Sequence, residues 1–421
     1  MLIEFSVENF KSFRERQTFS MAAAPRLRKK NCVFVPDVPG EKLPALLKVA
    51  AIYGANASGK SNLLEALDIV RRVIHARISD KKALPVKPFR FDRKLLDQPT
   101  RIEFHFIENK CRYHFELALT ESRIYEERLT SFPKGKEIML YERIYDGEVE
   151  NYRIVGLEGE PELHNVWKKL TPPRALFLSQ AVENSSEELQ QLRIPYRWLK
   201  SGSLFIGDNL APLGRSIQVV GTKFPQFVKD MSSYLQEIDV PVTKIEFEID
   251  KDDDDLDRDS DSDSSSVESL ETALQQAFDG SVKHKTTLTH RTELGETEFD
   301  FNEESKGTRS LMGFYLPWLA LPQKTIIVDE LDSSLHPMLV ENLVKKHLCN
   351  PGEGQLIFTT HDTHLMNTKM LRRDQLWITD RDKNGATKLF SIHDFEGRED
   401  EDVEKRYFEG RYRGLPILRS E

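Results

Sequence analysis

The chain has 421 residues, 39% of them hydrophobic and 31% charged with a formal net charge of −9, which is enough for one large or two ordinary domains. No window reaches the roughly 18 to 20 consecutive apolar residues that a membrane-spanning helix needs, and the start, MLIEFSVENFKSF, alternates apolar with polar residues where a secretory signal would read basic, apolar, then small. Three separated cysteines (Cys32, Cys111, Cys349) without a CxxC exclude a disulfide framework and a cysteine-based zinc site, so a cytoplasmic protein with no membrane partner is expected.

From the N-terminus, Leu2 to Val7 alternates as a strand does and runs into Asn9-Phe10-Lys11-Ser12-Phe13. Leu46 to Tyr53 is an apolar run of strand length ending at Gly54, and Ser61 to Ile74 carries Leu63, Leu64, Leu67 and Val70 at helical spacing. The order strand, glycine-bearing loop, helix is therefore predicted. From about 85 to 152 the pattern is β-rich; Arg101 to Ile107 and Tyr113 to Leu119 alternate around Glu108-Asn109-Lys110, which predicts a hairpin. Residues 176–238 read as mostly helical. Asp250 to Ser266 is Asp/Ser low complexity that cannot bury enough apolar surface to fold and is expected to be a disordered loop. With nine Asp against Lys251 and Arg258 it carries seven of the nine excess negative charges. On the near-neutral remainder a cluster such as Arg26, Arg28, Lys29 and Lys30 reads either as a basic face or as solvated surface.

Beyond the acidic run, Thr286 to His290 reads as a strand, followed by a short polar stretch and a helix from about Thr308 to Leu321. Lys324 to Val328 is a buried-strand pattern ending in two acids; Pro337 to Leu348 reads as a helix, and Gln355 to Thr360 as a buried strand ending in His361. Two buried strands joined through a helix make a βαβ crossover and hence a parallel sheet. An α/β nucleotide-binding core is expected from residues 1–80 and 281–421, with residues 81–280 inserted as a β-rich, then helical, lobe.

Gly54-Ala55-Asn56-Ala57-Ser58-Gly59-Lys60-Ser61 is a full GxxxxGK(S/T) phosphate loop after a buried strand and opening a helix. Its glycines let the backbone curl so that N–H groups face the phosphates, the helix N-terminus favours anions, Lys60 offsets phosphate charge and Ser61 can ligate Mg²⁺. Gly54, Asn56, Ser58, Gly59, Lys60 and Ser61 are thus the expected phosphate-binding residues. Thr325 to Glu330 supplies the matching acidic strand end: Asp329 suits the Mg²⁺ shell, and Glu330 is placed to polarise an attacking water. A single histidine after a strand, as at His361, reads either as a buried imidazole or as a ligand. Asp380 and Asp382 read as surface loop.

The order phosphate loop, Ser305-Lys306-Gly307-Thr308, Asp329-Glu330, Asp332, Thr359-Thr360-His361-Asp362 resembles the ABC-type ATPase heads of structural-maintenance-of-chromosomes proteins, double-strand-break repair ATPases and overcoming-lysogenization-defect proteins. The resemblance implies a P-loop NTPase of ABC-ATPase type with a mixed-sheet core, an inserted α+β lobe, and ATP and Mg²⁺ as cofactors. It implies that Ser305, Gly307 and Thr308 complete the site of an opposite subunit, that Asp332 belongs to the loop crossing the dimer interface, and that His361 is the switch histidine. It also places the turn carrying Lys11 and Ser12 near the nucleotide. For the family's glutamine loop Gln98 and Gln180 qualify by order only, with a structural or solvent role the expectation for each.

Glu304 to Arg309, Leu331-Asp332-Ser333-Ser334-Leu335-His336-Pro337 and the ending Arg406 to Pro416 resemble more closely the AAA15 branch, the ATPase components of abortive-infection systems. The ending departs from the usual Tyr-Gly-Ala at Tyr412-Arg413-Gly414. This resemblance implies an ATP-binding and hydrolysing sensor or scaffold in anti-phage defence. It would dimerise head to tail, or assemble further, on nucleotide and control a separate effector or toxin in response to a phage-derived trigger. The alternative is a DNA-repair or chromosome-processing ATPase with DNA as partner, against which stands the lack of a long heptad arm between residues 80 and 280. A transporter's ATPase subunit is a third reading, weakened by the inserted lobe.

Overall fold

A computed structural model describes residues 1–76, 83–185, 189–207, 221, 225–249, 284–320, 323–366, 370–399 and 401–416. The chain forms two compact units: Met1–Phe205 with Gln323–Asp329 and Val344–Glu421, and Ile206–Pro322 with Glu330–Leu343.

The first unit holds two large sheets. One is antiparallel and seven-stranded, built from β1 (Leu2–Glu8), β2 (Gln17–Ser20), β6 (Thr100–Glu108), β7 (Cys111–Leu119), β8 (Ile124–Phe132), β9 (Ile138–Tyr145) and β10 (Glu150–Ile154) in the order β10-β9-β8-β7-β6-β1-β2. Strands β6 to β10 extend the sheet that β1 and β2 begin. The β6–β7 hairpin forms as expected. Glu108 pairs with Cys111, and Asn109 and Lys110, at φ 47° and 58°, supply the two left-handed residues of a tight turn whose twist matches that of the strands. Alternation along these strands buries Phe5, Phe104, Phe106, Phe115 and Leu117 on one face. Against it packs the helix Phe177–Glu183, whose N-terminus is held by the buried Glu127: the carboxylate accepts from the backbone N–H of Phe177 (2.7 Å) and Leu178 (3.0 Å).

The other sheet is mixed and six-stranded: β5 (Val49–Tyr53), β11 (Ser203–Ile206), β15 (Thr325–Val328), β16 (Gln355–Thr359), β17 (Leu376–Arg381) and β18 (Thr387–Ser391), ordered β11-β15-β16-β5-β17-β18. Pairs β15–β16, β16–β5 and β5–β17 are parallel, and β18 is an antiparallel edge. The expected βαβ crossover is present, through the helix Pro337–Cys349. The apolar run Leu46–Tyr53 is cut at Lys48. Leu46–Leu47 (β4) pairs with Val33–Phe34 (β3), while Val49 onward enters the parallel sheet. Lys48 itself reaches past the end of the helix, its ammonium donating to Asn350 O at 2.6 Å and Leu348 O at 3.3 Å. Gln355, fully buried, joins the two large sheets by exchanging hydrogen bonds with the backbone of Leu2 at 2.7 and 2.9 Å.

The second unit contains a three-stranded antiparallel sheet, β12 (Val242–Ile249), β13 (His284–Thr292) and β14 (Gly295–Asp300), with the helices Pro225–Glu237 and Lys306–Ala320. The rings of Tyr234 and Tyr315 stack between these helices at 4.6 Å. Several strands went unpredicted, among them β2, β12 and β18 as well as β11 and β14; β11 follows the helix Gln190–Ser201 directly, and β14 is almost wholly exposed, so neither of these two carries its own apolar alternation. The acidic stretch Asp250–Ser266 lies outside the described residues, as do 208–220 of the segment read as helical. Among the described residues no helix is long and apolar enough to cross a membrane.

Candidate functional site

In the first unit, β5 ends at Tyr53 and the chain turns through Gly54–Gly59 into α1 (Lys60–His75). Gly54 (φ 146°), Ala57 (φ 62°) and Gly59 (φ 111°) all have positive φ, the backbone that curls the loop back over the helix N-terminus. Here the glycines are required by space as well. A Cβ on Gly54 would collide with the Thr379 carbonyl, and one on Gly59 with Thr387 Oγ1.

Residues more than 300 positions away brace the loop. Ser58 Oγ lies 2.6 Å from Thr379 Oγ1, which also donates to Tyr53 O at 3.1 Å. The Thr387 hydroxyl lies 2.7 Å from Ser58 O and 2.8 Å from Ser12 Oγ. Asn62 donates to the same Ser12 Oγ at 2.8 Å, so the N-terminal turn, the loop and β18 meet at Ser12. Asn9 pins that turn: its amide donates to Gln98 O (2.8 Å) and Leu95 O (3.0 Å) and accepts from Phe89 N (2.9 Å). Lys11, at φ 48°, pairs its ammonium with Glu65 on α1. The tail adds a further brace. Gly414 (φ 71°) sits so that its Cβ would lie 2.5 Å from Ile378 Cγ2 and 3.6 Å from Gly54 Cα, and Tyr407 OH donates to Gly414 O at 3.1 Å.

Lys60 is buried, with Nζ donating to Gly54 O at 2.9 Å and Ala55 O at 3.3 Å. The ammonium therefore lies inside the loop, while Asn56 and Ser61 are exposed. Asp329 follows β15 at the same sheet edge as the loop, because Val328 pairs with Phe358 and Thr359 with Ile52. Thr359 Oγ1 donates to Asp329 Oδ1 at 2.6 Å, which holds the carboxylate in place. His361 is exposed just beyond Thr360, whose N–H donates to Ile52 O at 3.1 Å. The curled loop with its internal cation, the exposed Ser61 hydroxyl and the tethered Asp329 form a donor set of the kind that holds a nucleotide phosphate with Mg²⁺.

In the second unit the helix start carrying Ser305, Gly307 and Thr308 lies against the loop that carries Glu330 and Asp332. Ser305 caps the helix Lys306–Ala320: its Oγ accepts from Thr308 N at 3.1 Å and lies 2.9 Å from Thr308 Oγ1. Gly307 packs against the loop carrying Asp332, where a Cβ would come within 2.9 Å of Ser334 O, and Lys306 Nζ donates to Ser333 Oγ at 3.2 Å. Glu330 opens that loop in a left-handed conformation (φ 53°), with its carbonyl accepting from Ser333 N at 2.8 Å.

Gln98 is exposed, with its backbone carbonyl accepting from Asn9, and Gln180 is buried, with its side-chain Oε1 3.4 Å from the Asn184 amide. Asp380, read as surface loop, instead lies within β17, where it pairs with Lys388, whereas Asp382 accepts from the N–H groups of Asn384 and Ala386 in the turn that follows, in keeping with its reading. Sequence reasoning missed Thr379, Thr387 and Gly414. The first two have no local signal, since a threonine in a strand is ordinary, whereas Gly414 stood inside the recognised ending.

No curated protein is significantly similar to the chain in sequence. Among solved structures, an SMC head bound to the C-terminal winged-helix domain of ScpA shares 12% identity over 93% of this chain and 99% of that one, with a TM-score of 0.42. The SMC head domain from Thermotoga maritima shares 16% identity over 93% and 98%, with a TM-score of 0.38. The family described as "AAA domain, putative AbiEii toxin, Type IV TA system" matches residues 49–148 and 208–367, more than half of the chain and both halves of the site. The chain is a member of that AbiEii-type AAA domain family.

Proposed function

We propose that the protein binds and hydrolyses Mg²⁺-ATP between two copies of itself and uses that cycle to control a separate toxic effector in anti-phage defence. The observation that carries the nucleotide reading is the braced phosphate loop with the Lys60 ammonium on its own carbonyls and Asp329 tethered at the same sheet edge. Phosphate oxygens would draw Lys60 off the Gly54 and Ala55 carbonyls, exchanging neutral acceptors for charged ones. Gly54, Asn56 and Gly59 would present backbone N–H groups, with that of Ser58 joining them on release from Ala55 O, Ser12 would keep the loop closed, and Ser61 with Asp329 would hold the metal ion. Bound Mg²⁺ would offset negative charge on the phosphates. Glu330 accepts the proton of the attacking water, and His361 contacts the terminal phosphate.

Dimerisation is supported by the way the signature is built. Ser305, Gly307 and Thr308 form a capped helix start set against the Asp332 loop, a helix N-terminus suited to anionic oxygen. In the proposal it completes the site of the opposite copy. The lysine and the acid separate experimentally. Lys60→Ala is expected to lose ATP binding in titrations with a fluorescent ATP analogue. Glu330→Gln is expected to keep binding but lose hydrolysis by about 10²- to 10⁴-fold, because an amide cannot take the proton. Wild-type affinity and turnover in Lys60→Ala would overturn the assignment of the loop. Effector control is tested by purifying the protein from its native cells: a co-purifying protein that is toxic when expressed without the ATPase is the expected result.

A further inference from the structure

On the outer face of the seven-stranded sheet, well apart in sequence from the phosphate loop, two imidazoles stand directly across from each other. His105 on β6 pairs with His114 on β7, and the rings stack at 3.9 Å with 10° between their planes. Glu103, two residues before His105 and so on the same face, brings Oε2 to 3.6 Å from His114 Nε2. Taking one ligand atom from each, the three atoms lie within 4.8 Å of one another. Behind His114, Glu116 Oε2 is 3.8 Å from Nδ1. With its proton on Nδ1, on the side of Glu116 Oε2, which Arg128 also holds at 3.2 Å, the His114 ring would turn its Nε2 lone pair to Glu103, the sense in which an outer carboxylate orients a metal-binding histidine.

We propose that Glu103, His105 and His114 form a binding site for a borderline divalent cation of the Zn²⁺ class, with Glu116 as a positioning residue. Two imidazoles and a carboxylate are ligands that zinc accepts, with a fourth position left to water. Ligand atoms around a tetrahedral zinc stand about 3.4 Å apart, given bonds of about 2.0–2.2 Å. To reach that spacing the three ligand atoms, which lie within 4.8 Å of one another, must draw together and the two rings must leave their parallel stack. Glu4, paired with His105 on the neighbouring β1, places a further carboxyl group on that face. Arg16 opposes the cation, since its guanidinium holds Glu103 Oε2 at 2.6 Å.

The test uses the full chain stripped with a chelator, then titrated with ZnCl₂ in calorimetry and with CoCl₂ in visible absorption. Wild type is expected to take up one equivalent that is missing in His105→Ala and in His114→Ala. Glu116→Gln should weaken it about 10-fold, the order seen for outer-shell partners. Arg16→Ala should bind several-fold more tightly, because Glu103 is released, a gain that a purely structural role for these residues would not produce. If the histidine variants fail to fold, the wild-type cobalt spectrum decides: intense four-coordinate bands reversed by one equivalent of Zn²⁺ support the site. A spectrum of the hydrated ion alone, or equal uptake by wild type and folded histidine variants, overturns it.

Discussion

Gly59 and Gly410 both have positive φ, at 111° and 76°, yet only Gly59 also lacks room for a side chain. A Cβ at Gly410 meets nothing within 4 Å, whereas at Gly59 it would strike Thr387 Oγ1 and approach Ser12 Oγ to 2.9 Å. Gly410→Ala should therefore cost only the backbone preference, about 1 kcal/mol, and leave nucleotide affinity unchanged. Gly59→Ala should push the loop off its braces and lower ATP affinity at least 10-fold; equal affinities in a titration of the two variants would show that the braces do not shape the loop. Gly59 was legible in the sequence because its motif is contiguous. Thr387 was not, because its importance comes from the sheet order that sets β18 beside the loop, and side chains that meet only through topology leave no spacing to read. Lys11 shows the converse. Resemblance placed it near nucleotide, and the structure gives its ammonium to Glu65 while Ser12 bonds with Thr387 and Asn62 beside the loop.

At the scale of elements, helices and sheets are tied by a few buried polar groups whose loss should be measurable. Glu127 accepts two N–H groups of the helix Phe177–Glu183 and the Tyr141 hydroxyl, and lies 3.9 Å from the fully buried Arg143. Burial outweighs these partners and holds its carboxyl above the ordinary value. Glu127→Ala would orphan buried donors and is expected to destabilise the protein by roughly 3 kcal/mol, read as a lower urea midpoint, with Glu127→Gln costing less. His347, near the end of the helix Pro337–Cys349, has Nε2 at 3.1 Å from Lys48 O and 3.2 Å from Gly354 O. Burial pushes its pKa from 6.5 down to about 4. The unfolded chain therefore takes up a proton as pH falls below 6.5 while the folded chain resists until about 4. Stability from this group is complete above pH 6.5 and is lost through that window, by about 3 kcal/mol at most. Unfolding curves of His347→Gln should show a shallower acid slope than wild type between pH 6.5 and 4; identical slopes would remove His347 from the account. The helix and both parallel strands it joins were readable from apolar periodicity. The cut at Lys48 was not, since an unbroken apolar run says nothing about which of two sheets each half enters.

For the molecule as a whole, the residues expected to handle ATP divide between the two units. Gly54 to Ser61, Ser12, Asp329 and His361 belong to the first, and Ser305, Gly307, Thr308, Glu330 and Asp332 to the second. The sequence order of these motifs was enough to recognise the family, because each motif is short and local. The grouping into units was less legible, because β6 to β10 continue a sheet that starts at Leu2 and alternation alone does not name a strand's neighbour. The central claim, that the signature surface of one copy completes the phosphate loop of another, is tested most directly by the solution mass of Glu330→Gln with and without Mg²⁺-ATP. The account predicts one chain's mass without nucleotide and twice that mass with it, and a return to one chain when Ser305→Arg is added although ATP still binds. A Glu330→Gln protein that holds ATP at one chain's mass, or a dimer indifferent to Ser305→Arg, would contradict it.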